Sequence, residues 1–142
     1  MIRYVTKPIK SPRDKSVKYY VQSAPQETVK LNELAELIGN SSTVARADIK
    51  AVLDALLFQI KQCLRNGQNV QLEGIGTLYT RLQSEGVKTQ EECWKSGAQL
   101  IKHVSLSFLR SKELSQLLKK ENLSFGPHPL EQQKKRAAGY GE

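Results

Sequence analysis

The chain has 142 residues, of which 39% are apolar and 25% charged, and its formal net charge is +8. A chain of this length predicts one compact domain with appendages, and no apolar run is long enough to span a membrane. The N-terminal residues lack the apolar core of a secretory signal, which favours a cytoplasmic protein.

The first 28 residues are predicted to form a basic β segment. Residues 2–6 and 17–22 are short runs rich in Val, Tyr and Thr, and the ten residues between them include two prolines and five charges. This pattern predicts either an extra β-hairpin or a loosely attached arm.

Two amphipathic helices are predicted next. Residues 29–38 place apolar side chains on one face of a short helix that Gly39-Asn40 can end. The following segment predicts a long helix that Ser42 or Thr43 caps and that Gly67 follows in a left-handed conformation. The apolar positions that repeat with the helical period are Ile49, Val52, Leu53, Leu56, Leu57, Ile60, Cys63 and Leu64.

The apolar face of the long helix is too wide for one partner. Ala51, Ala55 and Phe58 broaden it beyond the stripe of a simple surface helix. A helix that is buried on two sides needs more core than a chain of this size offers, which favours a dimer. A helix wedged under the N-terminal hairpin is the alternative.

Two alternating runs meet at Gly74-Ile75-Gly76. Residues 69–73 and 77–82 alternate apolar and polar side chains, which predicts two half-buried strands. The two glycines permit a bend or bulge that larger residues would resist. A nucleotide-binding loop would need a third glycine and a following helix, so the context argues against one.

Residues 84–98 interrupt the alternation. Thr89 can open a helical turn in this segment, and the acidic residues that follow it suit the start of a helix. Trp94 is predicted to be a partly buried anchor for the segment, and stacking on or wedging between bases is the alternative.

The C-terminal part of the chain is predicted to hold one more strand and one short helix. Residues 100–109 alternate again, and Ser111 can cap the helix that follows. Residues 121–142 are rich in polar and basic side chains, and we expect them to form a flexible basic tail. One face of the strand carries Val104, Leu106 and Phe108.

The excess positive charge lies outside the predicted helical body. Residues 28–80 have a net charge of zero, whereas residues 1–27 carry +4, residues 81–103 carry +1 and residues 104–142 carry +3. This distribution is typical of a polyanion binder. A soluble protein with solvated basic ends would show the same balance.

No arrangement of residues indicates catalysis or metal binding. Two cysteines and two distant histidines lack the spacing of a zinc site. No nucleophile stands near a base in any motif. We therefore expect a protein that is not an enzyme, uses no cofactor or metal, and has no small-molecule substrate.

The order of these elements resembles the HU/IHF family of bacterial histone-like DNA-binding proteins. The resemblance rests on the stretches LNELAELIG (31–39), ADIKAVLDALLFQIKQCLRNGQNVQLEGIGTL (47–78) and VSLSFLRSKELSQLL (104–118). The pattern L-x-x-G-x-x-V-x-L-x-G-x-G-T, from Leu64 to Thr77, is its most specific part. The chain is similar to the longer HU-related proteins that carry an N-terminal extension.

The resemblance implies an α+β fold and an intertwined homodimer. In this arrangement a helical body carries a three-stranded β-sheet extended into arms, here with the N-terminal β segment added. The HU-like domain would span residues 29–120, with the arm at 81–103. The implied function is mostly sequence-independent binding and bending of double-stranded DNA, or organisation of the nucleoid in the cytoplasm.

The resemblance also suggests which residues contact DNA. By position, Arg81 matches an arm-base arginine, Lys112 matches a phosphate-contacting lysine, and Arg46 falls where a basic residue often precedes the long helix. The candidate DNA-binding residues are Arg46, Arg81, Lys88, Lys95, Lys102, Arg110 and Lys112.

A second function remains open at this point. The arm-tip proline of the family is absent from residues 84–98, and the arm region carries a net charge of only +1. These departures favour an HU-like structural or protein-interaction module that has lost DNA wrapping.

Overall fold

The structure is a computed structural model that describes residues 1–141. It contains both helices and β-sheets, in agreement with the predicted mixed α and β content. The chain divides into two compact units: Met1–Val29 with the residues from Leu117 onward form the first, and Lys30–Gln116 form the second. In chain order the elements are β1 (Ile2–Lys10), β2 (Val17–Ser23), α1 (Leu31–Asn40), α2 (Arg46–Arg65), β3 (Val70–Leu72), β4 (Gly76–Ser84), α3 (Gln90–Ser96), β5 (Ile101–Arg110), α4 (Lys112–Leu117), β6 (Phe125–Pro127) and α5 (Pro129–Ala137), with short 3-10 turns at Gly97–Leu100 and Lys120–Asn122.

The first unit contains a three-stranded sheet in the order β2-β1-β6. Strands β1 and β2 pair antiparallel, from Tyr4 opposite Ser23 to Lys10 opposite Val17. The predicted N-terminal β-hairpin is therefore present. Strand β6 pairs in parallel with only the first part of β1, from Ile2 to Tyr4, so the rest of the hairpin is two-stranded.

The C-terminal residues differ from the flexible tail that the sequence predicts. Strand β6 and helix α5 occupy this segment, and Pro129 at the first helical position suits a helix start. His128 caps the helix, since its Nδ1 accepts a hydrogen bond of 3.3 Å from the Leu130 amide. The β1–β6 pairing joins residues more than 120 positions apart, which no local sequence pattern reveals. Of the predicted tail, Glu142 lies outside the described residues.

Glu131 connects helix α5 to strand β1 within the first unit. Its Oε1 accepts a hydrogen bond from the Thr6 hydroxyl, and the residue is almost fully buried. The hydrogen bond from Thr6 keeps the pKa of the Glu131 carboxyl below its ordinary value, and the nearby charges of Lys134 and Lys135 act in the same direction.

The second unit contains the two predicted helices. Helix α2 begins at Arg46, and its N-cap Ala45 makes no side-chain hydrogen bond, so the predicted capping by Ser42 or Thr43 is wrong. The reason is that the connection from α1 uses residues 41–45 for its turn. At the other end the prediction is confirmed, since Gly67 has a φ of 75° in the left-handed region.

Few apolar side chains of a single chain are shielded from solvent. Among the described residues the buried apolar ones are Ala24, Ala35 and Ile49, and no large side chain is fully buried. On α2, Val52 is 67% exposed and Leu56 45% exposed. The wide apolar face that the sequence predicts is therefore present, and a single chain leaves much of it open.

We expect Glu131→Gln to destabilise the protein at neutral pH and to matter less in acid. A carboxyl group with a lowered pKa stabilises the folded state above its unfolded pKa, and that contribution disappears as the pH falls through the folded pKa. Urea unfolding from neutral pH downward should thus show a difference between wild type and variant that shrinks below about pH 4.5.

Glu121→Gln is the matched control, because it removes the same charge from an exposed residue of the same unit. Its effect should be small at every pH. A wild-type advantage over Glu131→Gln that stays constant into acid would contradict the role of the ionised carboxylate.

Candidate nucleic-acid interface

The turn at Gly74-Ile75-Gly76 needs each of its glycines for a different reason. Gly74 has a φ of 79°, a conformation that side chains with a Cβ atom disfavour. Gly76 opens β4, and a Cβ atom there would collide with the Leu109 carbonyl oxygen and lie 2.6 Å from Cζ of Phe108. Gly74 therefore provides the left-handed backbone of the turn, and the missing side chain of Gly76 lets β5 pack closely against β4.

Ser111 holds this turn against the start of α4. Its hydroxyl donates a 2.8 Å hydrogen bond to the Gly74 carbonyl and accepts one of 3.0 Å from the Leu114 amide. The Ser111 amide also donates to the Ile75 carbonyl at 2.8 Å. The predicted capping role of Ser111 is confirmed, and the arrangement places Arg110 and Lys112 beside the glycine turn.

Strands β3, β4 and β5 form an antiparallel sheet in that order. Strand β3 pairs with only the first three residues of β4, whereas β4 pairs with β5 from Gly76 opposite Arg110 to Ser84 opposite Ile101. Beyond Leu78 the sheet is therefore a two-stranded ladder. A bulge lies between Gln83 and Ser84.

The two faces of the β4–β5 ladder have opposite chemistry. The register places Leu78 opposite Phe108 and Leu82 opposite Val104 on one face, and Leu106 of that face is 60% exposed. The other face carries mostly polar side chains, namely Tyr79, Arg81, Gln83, His103, Ser105 and Ser107. The ladder thus combines an open apolar face with a face of hydrogen-bonding groups.

All seven candidate DNA-binding residues are exposed. The structure brings Arg110 and Lys112 together at the glycine turn, and it places Arg81 further along the ladder, opposite Ser105. Arg46 stands apart from these residues, at the first position of α2.

Two of the candidates form ion pairs within the chain. A guanidinium nitrogen of Arg46 lies 3.2 Å from Oε1 of Glu36. Nζ of Lys102 lies 2.5 Å from Oε1 of Glu85. Both pairs are exposed, so each contributes little to stability and leaves the cation free to exchange its partner.

Residues 85–100 interrupt the ladder with helix α3. The Thr89 hydroxyl accepts a hydrogen bond from the Glu92 amide, as predicted for a helix start. Trp94 is 72% exposed, so the prediction of a partly buried anchor is wrong for a single chain. The short helix α3 packs mainly against the adjoining 3-10 turn at Gly97–Leu100, and this contact leaves the indole exposed. Lys88 precedes α3, and Lys95 lies in its last turn.

The polar neighbours of Arg81 on the ladder are not among the seven candidate residues that the sequence predicts. Gln83, Ser105 and Ser107 share its face of the ladder, together with His103. The signal was present in the sequence, because residues 103, 105 and 107 alternate with the apolar residues 104, 106 and 108. Only the register with β4 shows that they lie beside Arg81.

Within residues 1–141, no group of His, Cys, Asp and Glu side chains could hold a metal ion. No helix in this described part of the chain is long and apolar enough to cross a membrane.

Residues 1–125 match the family described as an HU domain fused to a wHTH, Ig or glycine-rich motif. The chain belongs to this HU family. The match includes the N-terminal hairpin, which lies outside the stretches that carry the resemblance in the sequence.

The DNA-binding protein HU of Thermus thermophilus is 36% identical to this chain over 58 residues, which are 41% of this chain and 60% of that protein. The alignment thus leaves two fifths of that HU protein unmatched.

Two solved structures superpose on this chain. A proposed bacterial DNA-binding protein from Bacteroides vulgatus superposes with a TM-score of 0.59 at 13% identity, over 90% of this chain and 50% of that one. An Anabaena HU protein crystallised with DNA gives a TM-score of 0.49 at 18% identity, over 65% of this chain and 99% of that one. The first of these likenesses shows that the fold is shared.

We expect alanine at the two glycines of the turn to destabilise the fold. Gly74→Ala should lower the free energy of unfolding by about 1 kcal/mol through its left-handed backbone. Gly76→Ala should cost more, because the added methyl group meets the backbone of β5. Thermal or urea unfolding measures both.

Gly86→Ala is the matched control. Gly86 has no positive φ, and an added Cβ atom would meet nothing within 4 Å. We expect its stability to be unchanged or slightly raised, since alanine restricts the unfolded chain. Equal effects at all three positions would refute the special role of the turn.

Proposed function

We propose that the chain binds double-stranded DNA as a homodimer, without catalysis and mostly independently of sequence. The observation that carries the proposal is the two-faced β4–β5 ladder in a chain of the HU family. Its polar face bears Arg81 among groups that can donate hydrogen bonds to phosphate, and its apolar face suits a protein partner. The Thermus HU relative is named as a DNA-binding protein, which supports the same function.

Electrostatic attraction would supply most of the affinity. Lysines and arginines that neutralise phosphates release condensed counterions, so binding weakens steeply as salt increases. Contacts of this kind position a protein on DNA without reading its sequence. Bending of DNA and organisation of the nucleoid in the cytoplasm belong to the same proposal.

The proposed dimer would cover the apolar surfaces that a single chain leaves open. Val52 and Leu56 on α2 and Leu106 and Phe108 on β5 are all exposed, and all four belong to the second unit. Exposed apolar area of this extent is unusual for a monomer. A second copy offers the same surface in return, as a twofold-symmetric interface requires.

A protein-interaction module is the second candidate function, and the region of α3 favours it. Glu85 forms an ion pair with Lys102, and Glu91 and Glu92 lie in the first turn of α3. These carboxylates oppose phosphate binding at the place where the family resemblance puts a DNA-wrapping arm. In this case the chain would still form a dimer but would not bind DNA.

Sedimentation at micromolar concentration should give about twice the chain mass of 16.0 kDa.

Leu56→Ala should lower the free energy of unfolding of the dimer by roughly 2–5 kcal/mol, because the dimer buries a side chain that is 45% exposed in one chain. Lys61→Ala, an exposed position on the same helix, is the control and should be close to neutral. A stable monomer that tolerates both changes would overturn the dimer.

Arg110→Ala and Lys112→Ala should each weaken DNA binding and flatten its salt dependence. Removing the cation that neutralises one phosphate should reduce the slope of log affinity against log salt by about 0.9. Binding to duplexes of different sequence should fall equally, because phosphate contacts carry no sequence information. Fluorescence anisotropy over a salt series measures both effects.

Arg81→Ala separates a ladder-centred contact from one centred on the glycine turn. If Arg81→Ala abolishes binding while Arg110→Ala and Lys112→Ala bind normally, DNA lies along the ladder. If the wild-type protein binds no duplex at low salt, the interaction module is the correct function.

A further inference from the structure

The N-terminal hairpin extends beyond its sheet as a two-stranded ribbon. Strand β6 pairs only with the residues of β1 from Ile2 to Tyr4, so within the described residues no third strand pairs with residues 7–18. We call residues 7–18 the basic ribbon. Every residue in it is exposed except Ser11 and Ser16, which are partly exposed. Isolated two-stranded hairpins are marginally stable in water, so a surface that meets this ribbon would also stabilise it.

The basic ribbon carries half of the net charge of the chain. It contains five cations and one anion in twelve residues, which is +4 of the total of +8. The cations are Lys7, Lys10, Arg13, Lys15 and Lys18. Within the described structure none of them forms an ion pair, whereas Arg46 and Lys102 of the second unit do.

The strand register distributes these cations over both faces of the basic ribbon. Lys7 lies opposite Tyr20, and Lys18 lies opposite Ile9, so these two lysines share one face. Lys10 lies opposite Val17 on the other face. A ribbon inside a groove of duplex DNA has phosphates on both sides, and this two-sided charge suits such a position.

The tip of the basic ribbon is an ordered turn. The Ser11 amide donates to the Ser16 carbonyl at 2.8 Å, and the Lys15 amide donates to the Ser11 carbonyl at 3.1 Å. Asp14, the single anion, accepts hydrogen bonds from the amide and hydroxyl of Ser16. Its carboxylate is therefore engaged in the turn, and the tip presents its cations on a fixed backbone.

We propose that the basic ribbon is a second DNA-contacting element that binds the phosphates of a duplex groove, in addition to the β4–β5 ladder and the glycine turn. A two-stranded β-ribbon has a width that the major groove, about 12 Å wide, admits. Its charges would add to those of the second unit in releasing counterions. The inference rests on the proposed DNA-binding function and gives it a second site.

The test compares full-length variants on a fluorescein-labelled, mixed-sequence duplex over a salt series. The ribbon variant combines Lys10→Gln, Arg13→Gln and Lys15→Gln. If each cation meets one phosphate, the slope of log affinity against log salt should flatten by about 2 to 3. A variant with Lys10→Arg and Lys15→Arg keeps the charges and should retain the wild-type slope.

The control removes the same charge from the neutral part of the chain. Lys30→Gln, Lys50→Gln and Lys61→Gln are exposed changes within residues 28–80, and they should leave the slope nearly unchanged. Equal flattening in the control and the ribbon variant would overturn the proposal, because net charge alone would then explain the effect. Circular dichroism verifies that each variant is folded.

The remaining outcomes separate this inference from the function on which it rests. If Arg110→Ala and Lys112→Ala flatten the slope but the ribbon variant does not, the second site is absent and the DNA-binding function stands. If the ribbon variant dissociates the dimer and leaves the slope unchanged, the ribbon contacts a second copy, and the inference is wrong. If the wild type binds no duplex, both fail.

Discussion

The scarcity of buried apolar surface within one chain governs the rest of the structure. Small domains bury a limited fraction of their surface and are correspondingly marginal, and here no large side chain of the described residues is fully buried. Hydrogen-bonded strands and helices are in place, but the usual driving force of a packed core is weak. Under the proposed dimer, folding and association become one process whose apparent stability depends on protein concentration.

The distribution of charge is compatible with the proposed dimer. A surface that a second copy covers would carry few unpaired cations, because burying an unpaired charge is expensive. Residues 28–80, which include α1 and α2, carry five basic and five acidic side chains and are neutral overall, and the excess positive charge lies in the rest of the chain. The β4–β5 ladder reproduces the same separation on a smaller scale, with apolar side chains on one face and Arg81 among polar ones on the other.

The region of α3 distinguishes this chain from the arrangement that the family resemblance implies. The resemblance suggests an arm that wraps DNA, yet residues 85–100 form a helix and a 3-10 turn, and Glu85 engages Lys102. Trp94 is displayed to solvent at this point. Binding that relies on the glycine turn and the basic ribbon would need no basic arm tip. Under the two proposals, the glycine turn and the basic ribbon would make the phosphate contacts that the family resemblance assigns to an arm.

The sequence by itself determined the elements whose signals are local. Apolar periodicity located α1 and α2, alternation located the strands on each side of Gly74 and Gly76, and a hydroxyl residue marked the start of α4, because each signal acts over a few residues. The same local signals exposed the width of the apolar face of α2. The contacts between residues that are far apart in the chain are visible only in the tertiary structure. It paired β6 with β1, engaged Glu131 with Thr6, left Trp94 uncovered, and set the polar residues of β5 beside Arg81. These outcomes depend on strand register and on contacts between residues far apart in the chain, and such contacts leave no periodic trace in the sequence.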